Sequence, residues 1–443
     1  MLLQFSIKNF RTFKEKASLS LVASNYDKNT REIDNINQDA KFNLRILKSA
    51  VVYGANASGK SKFFEALIFM KHFVISSSKD SQKGDKINVE PFKLNSESEK
   101  SPTEFEIIFT HKNVMYRYGF EADKKKIVSE WLYYKPKTKE IELFYRDGNK
   151  FETHDRNFSK GNTVIKEGLV RDNALLVSVA AQFNDSTSIT VIDWFENLNI
   201  ISGLEEREFK NNTIEKIKNK KEKDKILEFL KAADLGIQDI QYEEISFSDV
   251  PDEIKEEFKS IKEKMKDIDP EIFSDISTIH NSYDSNRKNV GKVKLSVLSD
   301  ESNGTKKFLY LSGTIIDVLE NGGILIGDEL DSKLHPNLVC KIVSLFNSGE
   351  LNKKNAQLIF NTHDTNLLSS GLFRRDQIWF TDKNKFGEGK LYSLADFKSG
   401  EVRKTESFEE NYIRGKYGAV PFLGFFDNLN NILPQYENEG QKG

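Results

Sequence analysis

Gly54-Ala55-Asn56-Ala57-Ser58-Gly59-Lys60-Ser61 carries the residue types and spacing that chemistry on a phosphate needs. It matches G-x-x-x-x-G-K-[ST] at every fixed position. The glycines let the backbone curl so that several N–H groups converge on one anion. Lys60 can reach the β and γ phosphates, and the Ser61 hydroxyl is a ligand for Mg²⁺. ATP and Mg²⁺ are therefore the expected ligands, with Gly54, Ala55, Asn56, Ala57, Ser58, Gly59, Lys60 and Ser61 all lying against the nucleotide. Two elements must position this loop. Residues 47–53 read as a strand running into it, and residues 61–67 as a helix leaving it. The helix N-terminus adds partial positive charge. An ordinary Gly/Ser turn is the plain alternative, and the flanking strand and helix count against it.

A second segment completes such a site. Gly323-Ile324-Leu325-Ile326-Gly327-Asp328-Glu329 is a short apolar run ending in two acids. A run of this kind, bounded by glycine, suits a buried parallel strand. An acid at the C-terminal end of that strand lies where open α/β sheets bind ligands, beside the phosphate loop. Asp328 is expected to hold Mg²⁺, directly or through water. Glu329 would face the γ phosphate and polarise the attacking water. Gly327 is odd here, because glycine weakens a strand and can mark a bulge.

Three further clusters bear on the same chemistry. Ser302-Asn303-Gly304-Thr305 precedes an apolar helical run over residues 309–319, and a helix N-terminus is a second phosphate-facing element. Ser302, Gly304 and Thr305 are candidate nucleotide contacts, with an ordinary N-cap as the alternative. Pro336 suits the first turn of a new helix, and His335 before it is expected to be structural. Residues 356–364 read as another buried strand. His363 at its end can donate a hydrogen bond to the γ phosphate as charge develops.

Composition bounds the class. At 443 residues the chain can bury a large core with room for an inserted subdomain. A net charge of −2 gives no global basic field for nucleic acid, although local patches stay open. The single cysteine, Cys340, excludes a disulfide framework and a Cys-based zinc site. Its apolar neighbours suggest a buried small hydrophobe. No stretch approaches the apolar length of a membrane span, and the first ten residues lack a signal-peptide core. A cytoplasmic protein with no membrane partner is expected.

Patterning divides the chain in three. Residues 1–204 are expected to form the N-terminal half of an α/β head, with the phosphate loop and an antiparallel β-meander over residues 103–152. Residues 165–204 carry helical patterns. Residues 205–289 are highly charged and read as a helical insert, from the spacing of Ile226, Leu227, Phe229 and Leu230 and of Ile254, Phe258, Ile261 and Met265. Each stripe covers a few turns, too short for long heptad arms. The charge runs are expected on solvated helix faces. Residues 290–443 supply the second half of the head.

Asn9-Phe10-Arg11 after an opening strand, the loop at 54–61, Glu301-Ser302-Asn303-Gly304-Thr305-Lys306, residues 327–336 and Asn361-Thr362-His363-Asp364 together resemble the ABC-type ATPase heads of the RecF, SMC and OLD group. More narrowly, the chain resembles the ABC-type AAA ATPases of prokaryotic defence operons, of the RloA, AriA and AbiL type. Residues 412–423, YIRGKYGAVPFL, resemble that group's C-terminal signature. The resemblance implies a P-loop NTPase fold, ABC-ATPase-like, with an antiparallel β lobe and an inserted helical subdomain. It implies nucleotide contact by Arg11. It also implies that Ser302, Gly304 and Thr305 complete a neighbour's site, so that ATP is sandwiched in a homodimer or larger homo-oligomer. It further implies a separate effector, such as a Toprim-like nuclease, and a phage protein as trigger. One departure is Gly327, where an aliphatic residue is usual. The other is length. The 80 residues after His363 are too few for a fused nuclease and show no paired-acid motif, so no intrinsic nuclease is expected. Two rivals stay open. One is a RecF-like DNA-binding repair ATPase, marked by a salt-sensitive duplex affinity. The other is a regulatory NTPase scaffold without nucleic acid.

Overall fold

Alternating apolar residues build one large sheet and continuous apolar runs build another. The computed structural model describes residues 1–25, 28–154, 157–202, 207–244, 274–398, 401–402 and 406–421. β1 (Leu2–Lys8) and β2 (Ala17–Ser20) open the chain. A ribbon of β3 (Ile36–Asp39) and β4 (Leu44–Leu47) follows, and β5 (Ser49–Gly54) enters the phosphate loop. The expected meander is β6 (Thr103–His111), β7 (Val114–Ala122), β8 (Ile127–Lys135), β9 (Ile141–Asp147) and β10 (Lys150–Thr153). With β1 and β2 it forms a seven-stranded antiparallel sheet in the order β10-β9-β8-β7-β6-β1-β2. In β6, Thr103, Phe105, Ile107 and Phe109 are buried while Glu104, Glu106 and Ile108 between them are half-buried, the period-two signature of a sheet with one core face.

The head's sheet is six-stranded and mostly parallel. It starts with β11 (Leu198–Ser202). After the insert strands β12 (Ile237–Glu244), β13 (Ser274–Tyr283) and β14 (Asn289–Ser296) come β15 (Ile324–Asp328), β16 (Gln357–Asn361), β17 (Ile378–Lys383) and β18 (Gly389–Ser393). The order is β11-β15-β16-β5-β17-β18, with only the β18 edge antiparallel. Both faces are covered. Ala50 and Val52 of β5 enter a core shared with the antiparallel sheet and the helix Lys60–Ser76. Val51 and Tyr53 enter a second core with the helices Asn303–Asn321 and Pro336–Phe346. Burial on both faces is why these strands read as unbroken apolar runs.

Some expectations are corrected. Helices occupy Ser159–Lys166, Leu176–Gln182 and Ser186–Glu196, but residues 198–202, read as part of that helical stretch, form β11. Leu198 pairs with Ile324 of β15, a partner that no local pattern announces. The insert is helical over Arg207–Lys218 and Lys220–Lys231, but it also carries β12 and β13, which form an antiparallel sheet with β14, a strand that runs past the expected boundary at residue 289. The stripe of Ile254, Phe258, Ile261 and Met265 lies outside the described residues, as do Phe422 and Leu423. Cys340 is half-buried beside the second core. Among the described residues no helix is long and apolar enough to cross a membrane.

Candidate nucleotide site

The phosphate loop is shaped by what it cannot accommodate. A Cβ on Gly54 would lie 2.4 Å from both the backbone O and the Oγ1 of Thr381, and 2.6 Å from Ser58 Oγ. No side chain fits there. Ser58 is buried, and its Oγ lies 2.6 Å from Thr381 Oγ1, which also reaches Tyr53 O at 3.3 Å. Thr381 on β17 therefore braces the loop from the next strand. Gly59, at φ +117°, starts the helix Lys60–Ser76, and no side chain caps that start. The helix keeps its first N–H groups available for an anion.

Lys60 is buried, and its Nζ donates to Gly54 O at 2.6 Å and Ala55 O at 3.2 Å. Burial pulls its pKa below the usual lysine value, opposed by the charges of Glu329, Asp328 and Asp331. The fold thus brings the loop lysine and the acidic strand end into one charged cluster. Ser61 sits in the first turn of the same helix, half-buried.

The acids are held by a residue to which sequence reading gave no role. Asn361 ends β16 between β15 and β5 and is fully buried. Its Oδ1 accepts the Glu329 N–H at 2.6 Å, and its Nδ2 donates to Asp328 Oδ1. One amide therefore sets both the candidate metal-binding acid and the backbone of the candidate base. Glu329 itself sits at φ +55°. Gly327 makes no bulge, since its register with Ile201 and Phe360 is continuous. A Cβ there would lie 3.2 Å from Leu330 Cβ, so glycine makes room for Leu330 to fold back into the core.

His363 is exposed, and its backbone N–H donates to Asp331 Oδ2 at 3.2 Å. A cavity of about 460 Å³ opens here, with Gly54, Ala55 and Asn56 on one side and His363, Tyr412 and Pro421 among its other walls. The C-terminal motif is thereby part of the site. Tyr412 packs 5.6 Å from Tyr53 and 5.4 Å from Phe380 between ring centroids, and its hydroxyl donates to Ala419 O at 3.1 Å. Burial pushes that hydroxyl up to about 12. A larger cavity, about 640 Å³, lies in the insert and contains none of these residues. Its Lys218 and Lys223 are paired with Glu215 and Asp239.

The remaining candidates are placed as follows. Ser302 is the N-cap of helix Asn303–Asn321, and its Oγ accepts the Thr305 N–H at 3.1 Å. A Cβ on Gly304 would come 2.8 Å from Lys333 O, so glycine lets the helix start touch the turn after Glu329. Among the described residues no hydrogen bond joins Ser302, Gly304 or Thr305 to the phosphate loop of the same chain. Lys307, one turn on, is fully buried and donates to Ser332 O at 2.7 Å and Glu329 O at 3.2 Å. Arg11 pairs with Glu65 of the phosphate-loop helix and with Glu90 at 3.4 Å. His335 caps the next helix, with Nδ1 accepting the Asn337 N–H at 3.2 Å. Asn361, Thr381 and Lys307 were not assigned from sequence. Only Asn361, adjoining Thr362 and His363, sat inside a recognisable motif.

A phosphate loop between a central parallel strand and a helix, with an acidic pair two strands over, defines a P-loop NTPase fold. Residues 49–369 match the profile of the family described as "AAA domain, putative AbiEii toxin, Type IV TA system", and the chain belongs to that family. Among solved structures the chain is similar to an SMC head domain from Thermotoga maritima, at 12% identity and a TM-score of 0.38, over 88% of this chain and 98% of that one. No curated protein matches.

Proposed function

We propose that the protein is an ABC-type ATPase that binds and hydrolyses ATP with Mg²⁺. It works as a homodimer or larger homo-oligomer with ATP between subunits, and it regulates a separate effector in defence against phage. The observation that carries the ATPase reading is the cluster of buried Lys60 with Asp328 and Glu329 at the mouth of a loop whose Gly54 admits no side chain. Ser61 and Asp328 would hold Mg²⁺, which, when bound, offsets phosphate charge. Lys60 turns from the Gly54 and Ala55 carbonyls to the β and γ phosphates. Glu329 takes a proton from water as its oxygen bonds to the γ phosphorus, and the bond from that phosphorus to the β-bridging oxygen breaks, leaving ADP and phosphate. His363 donates to the developing charge.

Self-assembly is supported by the lack, among the described residues, of any hydrogen bond from Ser302, Gly304 or Thr305 to their own phosphate loop. A neighbour's signature would fill that place. The family description and the C-terminal motif support the defence reading. In this proposal the effector is a nuclease-type toxin and the protein acts in the cytoplasm. Glu329→Gln tests the chemistry. ATP should stay bound while turnover falls at least about a hundredfold. Native turnover in that variant would sink the assignment of Glu329 as base.

A further inference from the structure

A third acid stands in the same turn. Asp331 lies between β15 and the helix Pro336–Phe346, two residues beyond Glu329. Its Oδ2 accepts the His363 N–H at 3.2 Å. Its Oδ1 is buried and has no hydrogen-bond partner among the described residues. A buried carboxylate oxygen left without a donor is costly, and folded proteins keep one where water, an ion or a ligand completes it. Asp331 meets the chain just past the end of β16, the strand between β15 and β5, and its charge acts on Lys60 and on the Tyr53 hydroxyl. From the other side, Lys307 fastens this turn through Glu329 O and Ser332 O.

We propose that Asp331 is a positioning residue for hydrolysis: Oδ2 fixes the backbone that carries His363, and Oδ1 accepts a hydrogen bond from ordered water at the γ-phosphate end of the site. This rests on the ATPase reading above. Asp331 takes no proton in the reaction, which is the part of Glu329. It acts through His363 and through where water stands.

Asp331→Asn preserves shape and one acceptor while removing the charge. Turnover should fall about tenfold while ATP affinity, by calorimetry, stays within about twofold. The double variant Asp331→Asn, His363→Ala should lose less than the product of the two single losses, because the Oδ2 contact acts through His363 and is shared by both changes. A purely structural role would lower the melting temperature and add its loss to that of His363→Ala. Multiplying losses in the double variant overturn the proposal, as does native turnover in Asp331→Asn. If Asp331→Asn does not fold, Asp331→Glu replaces it, with the charge kept, both oxygens displaced and the same outcomes read. Glu329→Gln is assayed in parallel. If it hydrolyses ATP at the native rate, the ATPase reading has failed. If it stalls while Asp331→Asn runs normally, only the role of Asp331 has failed.

Discussion

Two of the described helices carry a buried lysine within their first five residues, and they use their N-termini differently. Helix Lys60–Ser76 begins at Gly59 with no side-chain cap, and Lys60 rests on loop carbonyls while facing three acids. Helix Asn303–Asn321 is capped by its own Ser302, and Lys307 is spent on the carbonyls of Glu329 and Ser332. The first start is open to a phosphate from its own side of the molecule. The second is satisfied locally and wired to the turn that carries the candidate base. In the proposed assembly, a phosphate meeting the second helix comes from another copy.

The largest expected break in this contrast comes from Lys60→Ala. Removing the charge from the open start should weaken ATP binding about a hundredfold by calorimetry, because charge-assisted contacts to phosphate are the strong ones. Unchanged affinity would refute the phosphate-loop assignment.

Mixing subunits sharpens the contrast next. Ser302→Asp is a suitable partner variant, since Asp caps a helix as well as Ser does and adds a negative charge where a neighbour's phosphate would sit. Gly304→Asp is unsuitable, because its Cβ would collide with Lys333 O within the same chain. Lys60→Ala and Ser302→Asp should each lose at least about tenfold in turnover. Titrating one into the other should restore a fraction, read as phosphate release, through interfaces that pair an intact loop with an intact signature. No recovery at any ratio, with mixed assemblies verified by mass, would place the signature outside the site.

The smallest effect is on the wired start. Lys307→Met leaves two half-buried carbonyls without that donor and should destabilise the fold by about 1–3 kcal/mol in urea unfolding. ATP affinity should hold while turnover drops, since the turn bearing Glu329 loosens. A loss of affinity equal to that of Lys60→Ala would erase the distinction between the two lysines.

Legibility followed the range of the contacts. The loop Gly54–Ser61 could be read because its requirements are local, a backbone curl followed at once by a helix. The acidic strand could be read because burial on both faces leaves an unbroken apolar run. β11 was misread because a five-residue run shows no decisive period, and its pairing with β15 spans the whole insert. The insert's sheet was missed in the same way, under charge runs that resemble solvated helices. Gly327 looked like a defect in the one-dimensional pattern. Its use, space for Leu330, exists only once the turn folds back.

The amino-acid sequence by itself determined the P-loop class and singled out the candidate actors, Lys60, Ser61, Asp328 and Glu329, because phosphate chemistry demands fixed residue types at fixed spacing on a strand, a loop and a helix. Only the tertiary structure decided what holds them. Thr381 braces Ser58, Asn361 spans Asp328 and Glu329, Lys307 secures the turn, and Asp331 reaches His363. Each of these is a single hydrogen-bonding side chain whose partner is brought near by sheet order or helix packing. Asn, Thr, Lys and Asp are common everywhere, so their types carry no signal until distance selects them.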